Sequence, residues 1–229
     1  MNTKIIPYFL SLLVFLNISA APVISSSQAL SNIQIKRATD GTTTVTIDGE
    51  DKHGFEFTTP NRWYPVLVPS TFEEIEKFKN IIKENGVPLD EERITNNLSV
   101  KERCPDLAVI DLNSEHYQID RHIALFICHL EVPQSTPNWA IVAMLKSAEK
   151  SLGKTTKIDL KKIDNQTIDI MEFAYSPKEG DSLYGKSFFF IRNGKIFFFA
   201  GITNNNEWLP DVNNLMDSIL TSFDFNIQN

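Results

Sequence analysis

The sequence contains few of the residues and motifs on which common enzyme sites are built. Only 9 of its 229 residues are glycine, and it has no Gly-x-Gly-x-x-Gly motif or phosphate-binding loop. It also has no Gly-x-Ser-x-Gly motif, the strained turn that exposes the nucleophile of many serine hydrolases. These absences exclude the usual nucleotide-binding loops and the most recognisable hydrolase arrangement.

A concentrated positive charge is also missing. The formal net charge is −7 and the isoelectric point is near 5.2, so the chain repels phosphate at long range. The densest basic run mixes four lysines with two aspartates: Lys154, Lys157, Lys161, Lys162, Asp159 and Asp164. We interpret this run as a solvated face, and we predict no nucleic-acid partner.

Cysteine is nearly absent, with Cys104 and Cys128 as the two examples. In an oxidising compartment such a pair is first interpreted as a disulfide. The bridge would stabilise the fold by about 3 to 4 kcal/mol in the chain-entropy treatment. The alternative is two reduced cysteines, with Cys128 a small buried apolar residue within the run 124–128.

The first twenty residues have the pattern of an export signal. Lys4 provides the positive charge, residues 5–16 are mostly apolar, and Ala20 offers a small residue for cleavage. The apolar run is short for a membrane span, although an uncleaved N-terminal anchor is the alternative. No cysteine follows it, which argues against a lipid-anchored protein. The pattern predicts a periplasmic or secreted protein with no stable transmembrane span after signal removal.

One group of reactive residue types deserves a test as a metal or thiol site: Cys104, His116, His122, Cys128 and His129. Their spacing is not that of a zinc finger or ribbon. On a strand over residues 121–130, Cys128 and His129 face opposite sides of the sheet. His122 lies about 20 Å from Cys128 along such a strand. We therefore assign no catalytic, cofactor-binding or metal-ligating residue and expect no cofactor.

The clearest structural signal is Asn193-Gly194 between two phenylalanine-rich runs, residues 187–192 and 195–202. Asn-Gly suits both central positions of a type I′ turn, so the segment predicts a β-hairpin. Neither run alternates polar with apolar residues. Both strands are therefore predicted to be central in a sheet that is covered on its two faces.

Other patterns predict further strands and three helices. Strands are predicted over 43–47, 54–58, 64–68, 107–112, 122–127, 158–163, 167–174 and 223–225. Helices are predicted from Ser70 or Thr71 to Gly86, from Thr136 to Gly153, and over about 207–221, the last with Pro210 in its first turn. Strands joined mainly by hairpins favour an α+β fold, an antiparallel sheet flanked by helices.

We divide the chain into a signal peptide (1–20), a loose N-terminal segment (21–42) and a single α/β domain (43–229). Two local features receive structural interpretations. Trp63 is expected to pack in the interior instead of contacting a ligand, and Asn204-Asn205-Asn206 is expected to form a turn and helix cap.

The order of these parts resembles the Mog1/PsbP-like superfamily over about residues 43–229. The resemblance rests on Gly54-Phe55-Glu56-Phe57 leading to Pro60 and Trp63, the helix after Pro69, the phenylalanine-rich hairpin, and the last helix running into residues 222–225. It implies an α/β/α sandwich, in a superfamily whose members are mostly adaptors or accessory binding proteins. No functional motif matches, so the resemblance assigns no site residue.

Two main functions are compatible with these observations. The first is an exported, non-enzymatic accessory or binding protein of the cell envelope that acts through contacts with a protein partner. The alternative is a secreted hydrolase with a site assembled from dispersed His, Asp, Glu or Cys residues. A third hypothesis is a carrier of a small apolar ligand between helix and sheet.

Overall fold

Antiparallel β-strands make up most of the chain that the computed structural model describes, namely residues 33–47, 54–67, 72–84, 107–111, 123–131, 137, 140, 154–164, 166–175, 182–192 and 194–226. The strands are β1 (Ile33–Arg37), β2 (Thr43–Ile47), β3 (Phe55–Thr59), β4 (Trp63–Leu67), β5 (Leu107–Asp111), β6 (Ile123–Glu131), β7 (Lys154–Ile163), β8 (Gln166–Tyr175), β9 (Leu183–Arg192) and β10 (Lys195–Thr203). The helices are α1 (Phe72–Glu84) and α2 (Leu209–Thr221), and a 3₁₀ turn (Asn206–Trp208) precedes α2.

The described strands form two sheets. The smaller has the order β1-β2-β3, and the larger has the order β4-β5-β6-β10-β9-β8-β7. All neighbouring strands run antiparallel. The antiparallel sheet that the sequence predicts is therefore confirmed.

The predicted hairpin is formed by β9 and β10, which lie near the middle of the larger sheet. Arg192 pairs with Lys195 at its closed end, and Gly194 in the turn has a φ of 70°, a backbone conformation that glycine adopts without steric cost. Both faces are buried, since Phe188 and its sequence neighbour Phe189 point to opposite sides and each is nearly inaccessible. The predictions of a hairpin and of coverage on two faces are confirmed.

One face of the larger sheet carries a cluster of phenylalanine rings. The cluster joins β3, β9, β10 and the segment after α2 through Phe55, Phe57, Phe188, Phe190, Phe197, Phe199, Phe223 and Phe225. The Phe55 ring meets those of Phe190 and Phe197 nearly edge to face, with centroids 5.1 and 4.8 Å apart. Such pairs contribute about 0.5 to 1.5 kcal/mol each beyond the burial of their area. The cluster holds the smaller sheet against the larger one.

Helix α2 packs on the same face of the larger sheet. Its buried residues recur at helical spacing: Val212, Leu215, Met216, Ile219 and Leu220. The Asn205 side chain caps the preceding 3₁₀ turn by accepting the Glu207 N–H, which confirms the predicted cap. Trp208, at the end of that turn, is partly buried and packs against the core.

The chain is ordered into a strand earlier than the sequence predicts. Residues 21–42 are expected to be loose, but Ile33–Arg37 forms β1 and pairs along the whole length of β2. Ile33 and Ile35 pack against the core, while the intervening Gln34 is exposed. Apolar residues at alternate positions thus give β1 one side to bury, in a segment whose overall composition is polar.

The segment after α2 closes the free edge of β3. Glu56 and Asp224 exchange backbone hydrogen bonds of 2.9 and 3.0 Å, and the Thr58 N–H donates to Ser222 Oγ at 2.8 Å. Arg192 donates to the Phe225 carbonyl at 2.8 Å and lies over its ring. The short strand predicted over 223–225 is therefore a single bridging residue that fastens the end of the described chain to the smaller sheet.

Several predictions fall outside the described residues. The predicted helix over 136–153 does so except at residues 137 and 140, where the Ala140 N–H donates to the Pro137 carbonyl. The contacts of α1 side chains with the sheet are likewise not among those described. A sandwich with helices on both faces of the sheet stays a prediction. The signal peptide over residues 1–20 and the single domain over residues 43–229 also stay predictions.

Candidate functional site

The residues considered as a disulfide or a reactive cluster are only partly described. Cys104, His116 and His122 lie outside the described residues, and Cys128 lies in β6 opposite Phe198. The disulfide between Cys104 and Cys128 therefore stays a prediction. Within the described ranges, no three or more His, Cys, Asp or Glu side chains group as metal ligands would.

His129 is a buried residue of the sheet. It lies opposite Phe197, with ring centroids 6.3 Å apart, and is inaccessible to solvent. Ile127, which is two residues earlier and points to the same side of β6, is also fully buried. His129 is therefore in the packed interior, beside the phenylalanine cluster on the same face of the sheet and away from the surface.

Arg62 is the centre of one cluster of charged side chains. Its guanidinium donates to both oxygens of Asp111, at 2.7 Å each, and to Asp211 at 3.2 Å. It also lies over the ring of Trp63, 5.0 Å from the centroid. The hydrogen bonds that Arg62 donates to Asp111 raise the pKa of Arg62. The cluster fastens the turn before β4 to the end of β5 and the start of α2, and Trp63 is buried beneath it as predicted.

Lys186 is the centre of a second cluster. This residue of β9 is buried, and its Nζ lies 2.6 Å from Asp217 Oδ1 and 3.7 Å from Glu172 Oε1. Asp217 belongs to α2 and Glu172 to β8, so the ammonium connects the helix to two strands. Each of the two charged clusters joins separate elements of the fold, and within each cluster the charged groups are paired with one another.

The edge of the larger sheet at β7 has a different character. β7 is the last strand of that sheet in the described part of the chain. In its C-terminal half, three side chains between residues 159 and 162 are exposed to solvent. Leu160 is 63% exposed, and Asp159 and Lys162 are exposed on either side of it. An apolar side chain so exposed on a regular strand is unusual among the described residues, where Leu67 at 50% is the other large example.

The backbone of β7 also has hydrogen-bonding groups directed away from the sheet. In an antiparallel pair, the N–H and C=O of alternate residues face the neighbour strand, and those of the residues between face outward. Counting from the Ile163–Gln166 pair that flanks the turn places Leu160 in the outward set. Its N–H indeed donates to the carboxylate of the preceding residue, Asp159, at 2.8 Å.

The opposite edge, β4, is less suited to adding a strand. Pro65 in its middle has no N–H, and the strand has five residues where β7 has ten. Tyr64 of β4 is further covered by Arg37 of the smaller sheet, 4.9 Å from the ring centroid. We therefore take the β7 edge, defined as residues 157–163 beyond the irregular pairing between Thr155 and Lys157, as the candidate site.

The sequence of this lysine-rich run predicted only a solvated face. Lys162 is exposed and Lys161 is half-buried, in keeping with that interpretation. The feature that it missed is Leu160, an apolar residue between charged neighbours. Its exposure depends on β7 being an edge strand, because the same alternation on a central strand would have buried it.

None of the helices in the described residues is long and apolar enough to cross a membrane. None of the protein-family models matches the chain, and none of the curated proteins does.

Several solved structures are similar to this chain at low sequence identity. The solution structure of cyanobacterial PsbP (CyanoP) from Synechocystis sp. PCC 6803 is 14% identical, with 91% of this chain and 99% of that chain covered and a TM-score of 0.43. LpqN of Mycobacterium tuberculosis, described as involved in cell envelope biogenesis, is 8% identical, with 81% and 92% covered and a TM-score of 0.47.

A third similar structure is PA94 from Pseudomonas aeruginosa, a protein of unknown function described as a putative regulator. It is 10% identical, with 83% of this chain and 94% of that chain covered and a TM-score of 0.35. A PsbP structure is thus among the proteins to which this chain is similar, as the resemblance to the Mog1/PsbP-like superfamily predicted.

Proposed function

We propose that the protein is an exported, non-enzymatic accessory protein of the cell envelope, and that it binds a protein partner at the β7 edge. The observation that carries the proposal is the exposed Leu160 on a regular strand at the end of the sheet as far as the described residues form it. The export pattern in residues 1–20 supports a location outside the cytosol.

The β7 edge has the two properties that binding by strand addition requires. Outward N–H and C=O groups provide hydrogen bonds to a partner backbone, and exposed side chains provide selectivity. Natural edge strands usually avoid exposed apolar residues, because such strands associate with other chains. Leu160 is therefore better explained by a contact than by solvation.

A photo-crosslinking residue placed at position 160 tests this function in cells that make the protein. We expect a discrete adduct of defined mass in the envelope fraction from position 160, and the same adduct from position 162. A crosslinker at Asn206, which is exposed in the 3₁₀ turn, is the matched control and should not give that adduct. No adduct at 160, or equal adducts from all three positions, would contradict binding at this edge.

A further inference from the structure

We propose that the occupant of the β7 edge is an extended, acidic segment of the partner protein, with apolar and acidic residues in alternation. This inference rests on the proposed function and identifies the chemistry of the partner. It follows from the charge of β7, from the outward backbone groups and from the exposed leucine, which are three separate properties of one strand.

The charge of β7 differs from that of the chain as a whole. Within the β7 edge, residues 157–163, there are three lysines and one aspartate, while the entire sequence has a net charge of −7. A basic strand on an acidic protein attracts a negatively charged segment locally. A second copy of this chain fits poorly at the edge, since antiparallel or parallel pairing of β7 with itself would bring two net positive strands together.

The backbone fixes how the segment is held. The outward set includes Ile158, Leu160 and Lys162, so a partner strand can exchange hydrogen bonds at every second residue. At Leu160 the N–H is already bonded to Asp159 Oδ1. A partner carbonyl must displace that carboxylate, which then turns toward water at the exposed position 159.

The side chains fix what the segment contains. An apolar residue opposite Leu160 would cover its exposed surface, at about 25 cal/mol per Å² of apolar area removed from water. Because side chains alternate along a strand, acidic residues on the flanking positions would face Lys161 and Asp159, while Lys162 lies on the same side as Leu160. Asp159 opposes an acidic segment both by its charge and by its hold on the Leu160 N–H, so it weakens binding.

Binding of a synthetic strand to the purified full chain tests the inference. The probe is a blocked, fluorescein-labelled peptide with five Glu-Val repeats, measured by fluorescence anisotropy at two salt concentrations. Two matched control peptides distinguish the contribution of backbone hydrogen bonds from that of charge. One carries N-methyl groups on alternate amides, which removes strand hydrogen bonds at unchanged charge, and the other has Lys in place of Glu.

The expected result is binding of the Glu-Val peptide that weakens with added salt, and at least tenfold weaker binding of both controls. Lys161→Glu with Lys162→Glu should shift the preference toward the Lys-Val peptide by about tenfold, through one directly opposed charge at 161 and one exposed charge beside it at 162. This gain also shows that the variant is folded. Asp159→Ala should strengthen binding of the Glu-Val peptide several-fold.

Leu160→Pro removes the outward N–H without removing a hydrogen bond to β8, so we expect a folded protein that does not bind. Equal binding of the N-methylated peptide, or an unchanged preference after charge reversal, would overturn strand addition by an acidic segment. A dimer in light scattering that Leu160→Pro abolishes would also overturn it, in favour of a second copy. If crosslinking at 160 yields its adduct but no Glu-Val peptide binds, this inference fails and the proposed function stands.

Discussion

The guanidinium of Arg62 holds both carboxylate oxygens of Asp111, with Nε–Oδ1 and Nη2–Oδ2 distances of 2.7 Å each. Asp111 is buried, whereas the Arg62 side chain is 30% exposed. This two-pronged geometry is the strongest form of the arginine–carboxylate pair. It ties the turn before β4 to the end of β5, two parts of the chain that are 49 residues apart.

Removing the buried carboxylate should weaken the fold. Asp111→Asn replaces a paired charge with an amide that cannot accept both bonds, so we expect a loss of about 2 kcal/mol in the free energy of unfolding. Asp211→Asn is the matched control, because Asp211 is 37% exposed at 3.2 Å and should contribute less than about 1 kcal/mol. Urea denaturation measures both, and equal losses would contradict the dominance of Asp111.

Gly201 makes the close approach of α2 to the sheet possible. A Cβ at this position would lie 2.8 Å from Val212 Cγ1 and 3.0 Å from Met216 Cγ. We expect Gly201→Ala to destabilise the protein by about 1 to 3 kcal/mol through overpacking. The test is a double-mutant cycle with Val212→Ala, which removes the nearest atom and should recover about 1 kcal/mol as an interaction energy. If the two losses of stability simply add, the strain caused by Gly201→Ala does not come from its contact with Val212.

The turn between β9 and β10 depends on a positive φ. Gly194 has a φ of 70°, where a side chain with Cβ clashes with the backbone. Gly194→Ala should therefore cost about 1 kcal/mol of stability. Gly194→Asn should cost less than the alanine variant, because asparagine tolerates this conformation. Thermal unfolding followed by circular dichroism compares the two variants. An alanine variant as stable as the wild type would contradict the need for a positive φ at position 194.

Asp40 is predicted to titrate below the ordinary range of an aspartate. Its Oδ1 accepts the Thr42 hydroxyl at 2.7 Å and the Thr42 N–H at 2.9 Å, and these bonds lower the pKa of Asp40. Because the folded pKa is depressed, the stabilising effect is present above the ordinary pKa and disappears as the pH falls through the folded value.

Nuclear magnetic resonance of the Asp40 carboxyl carbon measures that midpoint directly. Thr42→Val removes the hydroxyl and retains the N–H, so the midpoint should rise toward the ordinary value without reaching it. Thr44→Val is a suitable control, since its residue lies in the adjoining strand and makes no described bond to Asp40. An identical midpoint in wild type and Thr42→Val would contradict the hydroxyl as the main cause.

Local patterns determined the parts of this protein that depend on near neighbours in sequence. Asn193-Gly194 between two unbroken aromatic runs predicted the β9–β10 hairpin and its burial on both faces, because turn chemistry and side-chain alternation act over a few residues. The spacing of Val212, Leu215 and Ile219 likewise predicted α2 and its buried side.

Only the tertiary structure decided which distant elements meet. It brought Arg62 to Asp111 and Lys186 to Asp217, and it gave Ile33–Arg37 a partner in β2. Among the described strands it left β7 at the end of the larger sheet, with Leu160 exposed. These outcomes depend on contacts between residues far apart in the chain, for which periodicity carries no information. The sequence of β7 predicted only a solvated face. The strand is the proposed binding edge because its position in the sheet exposes Leu160.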